Sequence, residues 1–167
     1  MWRLSILVFA TACAARSAES LPLQVSLWPP VQVVCADTSV AGLRLNLLYG
    51  DNVVMQGLDL GVVSGSDCCD GIQINAVNWV RDLAMGVQVG LANTMGAAEG
   101  LTIGGMNTAR TTLTGVQIGI LNYAEEAAGL QIGLLNSADT MVGLQIGLVN
   151  IIHDARVPAL PILNWQF

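Results

Sequence analysis

The dominant signal in the chain is an eight-residue block in which small or polar positions alternate with aliphatic ones, recurring every 14 or 15 residues. The clearest copies are GVQVGLAN (Gly86–Asn93), GVQIGILN (Gly115–Asn122), GLQIGLLN (Gly129–Asn136) and GLQIGLVN (Gly143–Asn150). Slots one and five of the block hold glycine: Gly86 and Gly90, Gly115 and Gly119, Gly129 and Gly133, Gly143 and Gly147. Slot three holds glutamine (Gln88, Gln117, Gln131, Gln145) and slot eight asparagine (Asn93, Asn122, Asn136, Asn150). Looser copies are GLTIGGMN (Gly100–Asn107), GIQINAVN (Gly71–Asn78), GLDLGVVS (Gly57–Ser64) and GLRLNLLY (Gly42–Tyr49). PLQVSLWP (Pro22–Pro29) opens the series and a degraded VPALPILN (Val157–Asn164) closes it. Fourteen of the 18 glycines fall in slots one and five, so the unit itself sets the glycine pattern.

Slots two, four and six are Leu, Ile or Val almost throughout, the period-2 signature of a strand with two unlike faces. A helix would gather slots one, four, five and eight, mixing Gly, Ile and Asn into no apolar stripe. Polar segments rich in Asn, Asp and Ser separate the blocks and suit turns. The pattern predicts an all-β domain of about ten short strands, one per unit. Slot-one positions from Gly42 to Val157 are separated by 15, 14, 15, 14, 15, 14, 14 and 14 residues. Alternating gaps suit an antiparallel meander, whose odd and even turns lie at opposite ends. Closing such a meander into a small β-barrel would remove its edges. The aliphatic slots would then face lipid, and Gly and Gln a narrow interior. The terminal run Leu163–Phe167 resembles the C-terminal signal of outer-membrane barrels, although Trp165 and Phe167 share the parity of Leu163 and not of Leu160 and Ile162. The alternative is a β-solenoid with one unit per coil, aliphatic slots filling its core and asparagines stacked as a ladder.

Composition adds a location. Residues 1–20 combine Arg3, an apolar run from Leu4 to Ala12 and small residues, the layout of a signal peptide. A lipid anchor on Cys13 is less suited, because the preceding Phe9–Ala12 lacks the usual Leu. Residues 21–167 then form a single β-repeat domain with four Arg, no Lys and eleven Asp and Glu. That negative balance argues against nucleic acid or an anionic membrane surface as partner. An exported chain meets oxidising conditions, so a disulfide among Cys35, Cys68 and Cys69 is expected, with an odd sulfur left over.

The units Gly86–Asn93 and Gly115–Asn150, the segment Ser26–Val33 and the ending Asn164–Phe167 together resemble the bacterial surface repeat-containing proteins with tandem GLQIGLVN-type units. The resemblance spans essentially all of residues 21–167. It implies export, an outer-membrane or cell-surface location and no established activity, and it brings no catalytic or ligand-binding residues with it. Tyr49 and Ser64 in the Asn slot, and Pro158 and Pro161, depart from the pattern. Such prolines suit an edge or a barrel seam.

Local chemistry is sparse. His153 has no positioned nucleophile and reads as a solvated turn residue. The four side chains of Asp67–Asp70 lie too close in sequence for a structural zinc site and suit a turn carrying a disulfide. Gly100–Gly105 lacks the Lys-Ser/Thr ending of a phosphate loop. The glutamine column that includes Gln73 reads first as a hydrogen-bonded ladder and second as a face for a ligand. No catalytic residue, cofactor or metal is expected. The function expected is that of a non-enzymatic structural or interaction protein of the outer membrane or cell surface (alternatively the periplasm), with outer-membrane or cell-surface components as partners. A second expectation is a soluble exported β-solenoid binding a glycan or protein through its Gln/Gly face. A weaker third is an envelope enzyme using the Asp67–Asp70 turn.

Overall fold

The computed structural model describes residues 20–28, 31–32 and 37–167. The expected export segment, Cys13 and Cys35 lie outside them, except Ser20, which begins the first strand. The described residues contain no helix. Their strands are β1 (Ser20–Trp28), β2 (Val31–Gln32), β3 (Ser39–Ile152) and β4 (Ala159–Gln166), in one open sheet ordered β2-β1-β3-β4.

β3 is an unbroken extended run of 114 residues. Atoms of the same slot in successive units nevertheless touch, so the run winds on itself. Asn122 Nδ2 donates to Asn136 Oδ1 at 2.8 Å, and Asn136 Nδ2 to Asn150 Oδ1 at 2.8 Å. A Cβ placed on each slot-one glycine from Gly57 to Gly143 would lie 2.0–2.3 Å from the carbonyl oxygen of the preceding slot-one glycine. The backbone N–H groups of His153 and Asp154 donate to the carbonyls of Ala138 and Asp139 at 3.0 Å each. Same-slot contact means parallel stacking in register, one unit per coil. β1 continues it, pairing parallel with β3 from Ser20↔Ser39 to Ser26↔Asn46.

Three expectations are therefore corrected. The antiparallel meander closed into a barrel is replaced by an open sheet, and about ten separate strands by one wound run with flanking pieces. Corners do not interrupt the strand because corner residues also pair with their counterparts one coil earlier. The alternating 14 and 15 spacings arise in the return segments that follow slot eight. In 108–114 the buried Ala109 and Leu113 are four residues apart, whereas in 123–128 Ala124 and Ala127 are three apart. The extra residue bulges outward and leaves the register of the next coil intact.

The interior is also redistributed. Aliphatic slots two, four, six and seven do not fill a core; they face outward. Gln73, Gln117, Gln131 and Gln145, with the asparagines from Asn78 to Asn150, are fully or almost fully buried. The apolar core is a slim column from the return segments, including Val40, Met55, Ala84, Met95, Leu113, Ala127 and Met141. Bulk is shared within three coils: Met141 accompanies Ala138, Leu113 accompanies Ala109, and Met95 accompanies Ala98, whereas Ala124 and Ala127 are both small.

Slot-one glycines carry φ between +104° and +149°, a region that L side chains rarely adopt. Slot-five glycines are required differently. A Cβ on Gly133 would meet Gly119 O at 2.3 Å and Asn122 Nδ2 at 2.6 Å, inside the asparagine ladder.

The degraded last unit does not form another parallel coil. β4 runs antiparallel to the final coil, from Gly143↔Gln166 to Ile151↔Ala159, and lies at the sheet edge. Pro158 and Pro161 have no N–H to leave unpaired there. A register shift falls between Gly147 and Asn150, and Ile162 adopts φ 70°. This irregularity flips the side-chain parity, so that Ile162, Leu163 and Trp165 are all exposed while Asn164 is buried.

Candidate interaction surface

Each coil has a front wall, slots one to eight, and a return wall. On the front wall the side chains alternate between polar inward and aliphatic outward. Inside, each amide of the asparagine ladder is used twice. Asn107 Nδ2 donates to Asn122 Oδ1 at 2.9 Å and to the Ile118 carbonyl at 3.0 Å. The pattern repeats at Asn78, Asn93, Asn122 and Asn136. The glutamines form a second ladder: Gln88 donates to Gln73 at 2.8 Å, Gln131 to Gln117 at 2.9 Å and Gln145 to Gln131 at 2.8 Å. Thr102 occupies this column between Gln88 and Gln117, and Gln88 Oε1 is left without a hydrogen-bond partner. The ladder reading holds, and display of these glutamines to a ligand is corrected, because they are interior.

Two slot-three positions hold charges, which the motif analysis missed. Arg44 and Asp59 form a fully buried bidentate ion pair, Nε to Oδ1 at 3.0 Å and Nη2 to Oδ2 at 2.7 Å. Asp59 also accepts from Asn46 at 2.8 Å, Gln73 at 3.1 Å, Asn75 at 3.2 Å and Ser64. Arg44 reaches Ser64, Asn52 and the Gly65 carbonyl. The departures from the unit thus cluster: Asn46 and Asn75 replace slot-five glycine, and Ser64 replaces slot-eight asparagine, all to solvate this pair. Opposite charges in one slot of adjacent units were the available signal.

Outside, the front wall is aliphatic from one end of β3 to the other. Leu91 is 74% exposed, Leu148 66%, Ile120 56% and Leu134 53%. Slots four and six form ridges, and between them Gly104, Gly119, Gly133 and Gly147 floor an apolar groove of about 750 Å³. Apart from the buried pair, every charged residue of β3 lies on the return walls. There Arg81 bridges three coils, reaching Asp51 at 2.7 Å and Asp67 at 3.1 Å, and sits 5.9 Å from the Trp79 ring centroid. Its hydrogen bond to Asp51 raises its pKa further.

The structure does not assemble chemistry at the other candidate positions. Asp67 pairs with Arg81, Cys68 is in a disulfide, Asp70 is exposed, and Cys69 is a buried free thiol. Burial is the main cause that pushes the Cys69 thiol up to about 12. Among the described residues no three His, Cys, Asp or Glu side chains cluster as metal ligands. His153 Nδ1 lies 3.1 Å from the Ala138 carbonyl and 3.2 Å from Asp139, exposed on a return corner. No helix of the described residues is long and apolar enough to cross a membrane, which says nothing of strands. No family model, curated protein or solved structure matches this chain.

Proposed function

We propose that the chain is a β-solenoid of one unit per coil that serves as a non-enzymatic structural and interaction protein of the outer membrane or cell surface. The observation that carries this reading is the outward aliphatic front wall. Monomeric soluble proteins rarely expose a contiguous apolar patch beyond about 300–600 Å², and here the patch runs the length of the stack. The resemblance to surface repeat-containing proteins and the leader-like segment support the location. The reading that a glycan or protein binds through the Gln face lacks a contact surface, since the glutamines are inside. The Asp67–Asp70 segment supports no catalytic alternative, with its one free thiol buried and held protonated at neutral pH.

Fractionation of a Gram-negative host expressing the full chain tests this proposal. The protein is expected with the outer membrane or exposed to external protease. Wild-type protein wholly in the soluble periplasmic or cytoplasmic fraction would contradict it.

A further inference from the structure

We propose that the front wall is the interface of a homodimer, two copies packing face to face with their stacks reversed. The twofold axis would lie in the interface parallel to the strands, between the coils of Leu91 and Gly105. This rests on reading the front wall as the interaction surface and names its occupant.

Such an axis preserves slot and inverts coil order, so slot six of one copy faces slot six of the other. Slot six forms the most protruding ridge. It is large at Leu47, Val62, Leu91, Ile120, Leu134 and Leu148, and small in β3 only at Ala76 and Gly105. Inverting the ridge about the midpoint between Leu91 and Gly105 sets Leu91 opposite Gly105 and Ile120 opposite Ala76. By symmetry each knob-into-notch pairing occurs twice. Val62 then meets Leu134, and Leu47 meets Leu148, further from the axis. That midpoint also lies in the middle of the stack, so nearly the whole wall is covered.

Size and charge agree. Eight coils at ~4.8 Å and six slots at ~3.3 Å give a wall of on the order of 750 Å² in projection. Ridges bring its accessible area towards the ~800 Å² per partner of a standard interface. The charges of β3 lie on the return walls or in the buried pair, so two front walls meet without opposing charges. A net charge of −6 disfavours an anionic lipid surface as the occupant. β4, with Pro161 inside it and Pro158 just before it, blunts one end of the stack, which favours a closed pair over an end-to-end fibre.

Light scattering coupled to size exclusion, over a concentration series of the leader-processed chain, tests the dimer. Wild type is expected to be dimeric at micromolar concentration, and Leu91→Glu monomeric with an unchanged β-sheet circular dichroism spectrum. Ala76→Leu adds apolar surface, which would strengthen non-specific adhesion; filling the notch should instead raise the dimer Kd at least about tenfold. Adding Ile120→Ala to Ala76→Leu should restore the affinity, and this pair carries the test if Leu91→Glu does not fold. A monomeric wild type, or an Ala76→Leu variant that dimerises as well or better, overturns the proposal. Monomers that bind neutral phosphatidylcholine vesicles through the wall would overturn the dimer while retaining the interaction surface. Neither self-association nor vesicle binding would remove both.

Discussion

In the front wall Gly129–Asn136, Gln131 and Asn136 are buried while Leu134 and Leu135 face outward; in the return wall that follows, Ala138 and Met141 are buried while half-exposed Asp139 meets His153. The two walls of one coil thus have opposite polarity, and stacking explains how. A primary amide both donates and accepts, so identical amides in register satisfy one another along the axis. An unpaired buried amide would cost about 1–3 kcal/mol. The return wall has no such ladder and closes the interior with small side chains, Ala above all, that let the walls approach. A buried glutamine is therefore tolerated only where its neighbour one coil away is also a partner.

The sharpest way to break that rule is at the ion pair, where the ladder is replaced by charge. Asp59→Ala strands a buried guanidinium and should cost about 3–5 kcal/mol in urea unfolding. Changing both Arg44 and Asp59 to Gln extends the glutamine ladder and should recover most of that loss. A single change costing under about 1 kcal/mol would show that the front wall tolerates an unpaired charge.

Next in size is Gly133→Val. Valine gains up to about 1 kcal/mol of strand preference, but its Cβ would enter the asparagine ladder and crowd the Gly119 carbonyl. Over-packing of this kind costs about 1–3 kcal/mol or more, so a net loss is expected on chemical denaturation. A neutral result would mean that slot five does not face the ladder.

Filling the gap in the ladder works in the other direction. Thr102→Gln would give Gln88 Oε1 a donor and join the two glutamine runs, raising stability by about 1 kcal/mol. No gain in the unfolding midpoint would argue that the ladders contribute packing alone.

The return wall supplies an effect of a different kind, through pH. Cys69 titrates at its ordinary 9.0 when unfolded and about 12 when folded. Its raised pKa favours the protonated folded state, so this contribution is intact below pH 9 and falls as pH rises towards 12. Tyr49 and Tyr123, raised by burial and by Asp51 and Asp139 respectively, act in the same direction. The unfolding midpoint of Cys69→Ala should therefore decline less between pH 9 and 11 than that of wild type; equal slopes would place the thiol in contact with water.

Much of this was legible in the sequence, although not in the topology expected. Period-2 alternation specified strands, and the facing of the Leu and Gln slots agreed with the barrel's orientation, aliphatic outside and amide inside. The topology differs from a meander because the alternating spacings reflect not alternating turn ends but whether two interior positions stand four residues apart, as Ala109 and Leu113 do, or three, as Ala124 and Ala127 do. The last unit failed as a coil at Pro158 and Pro161, which the sequence marked as edge residues. Expected oxidation is met at Cys68, while Cys69 is free. Arg44 and Asp59 escaped notice because each looked like an isolated exception, and only the coil brings the 15-residue separation down to hydrogen-bonding distance.

Parallel, in-register winding fixes one distance that no meander can share. Glu125 and Asp139 occupy the same return-wall slot of adjacent coils, where stacking places their backbones about 5 Å apart. In an antiparallel meander the same residues lie at opposite strand ends, separated by on the order of 25 Å. Nitroxide labels on cysteines introduced at these two positions should show strong dipolar broadening in continuous-wave electron paramagnetic resonance. Spectra equal to the sum of the two singly labelled proteins would contradict the winding, and with it the assignment of the amide ladders to the interior.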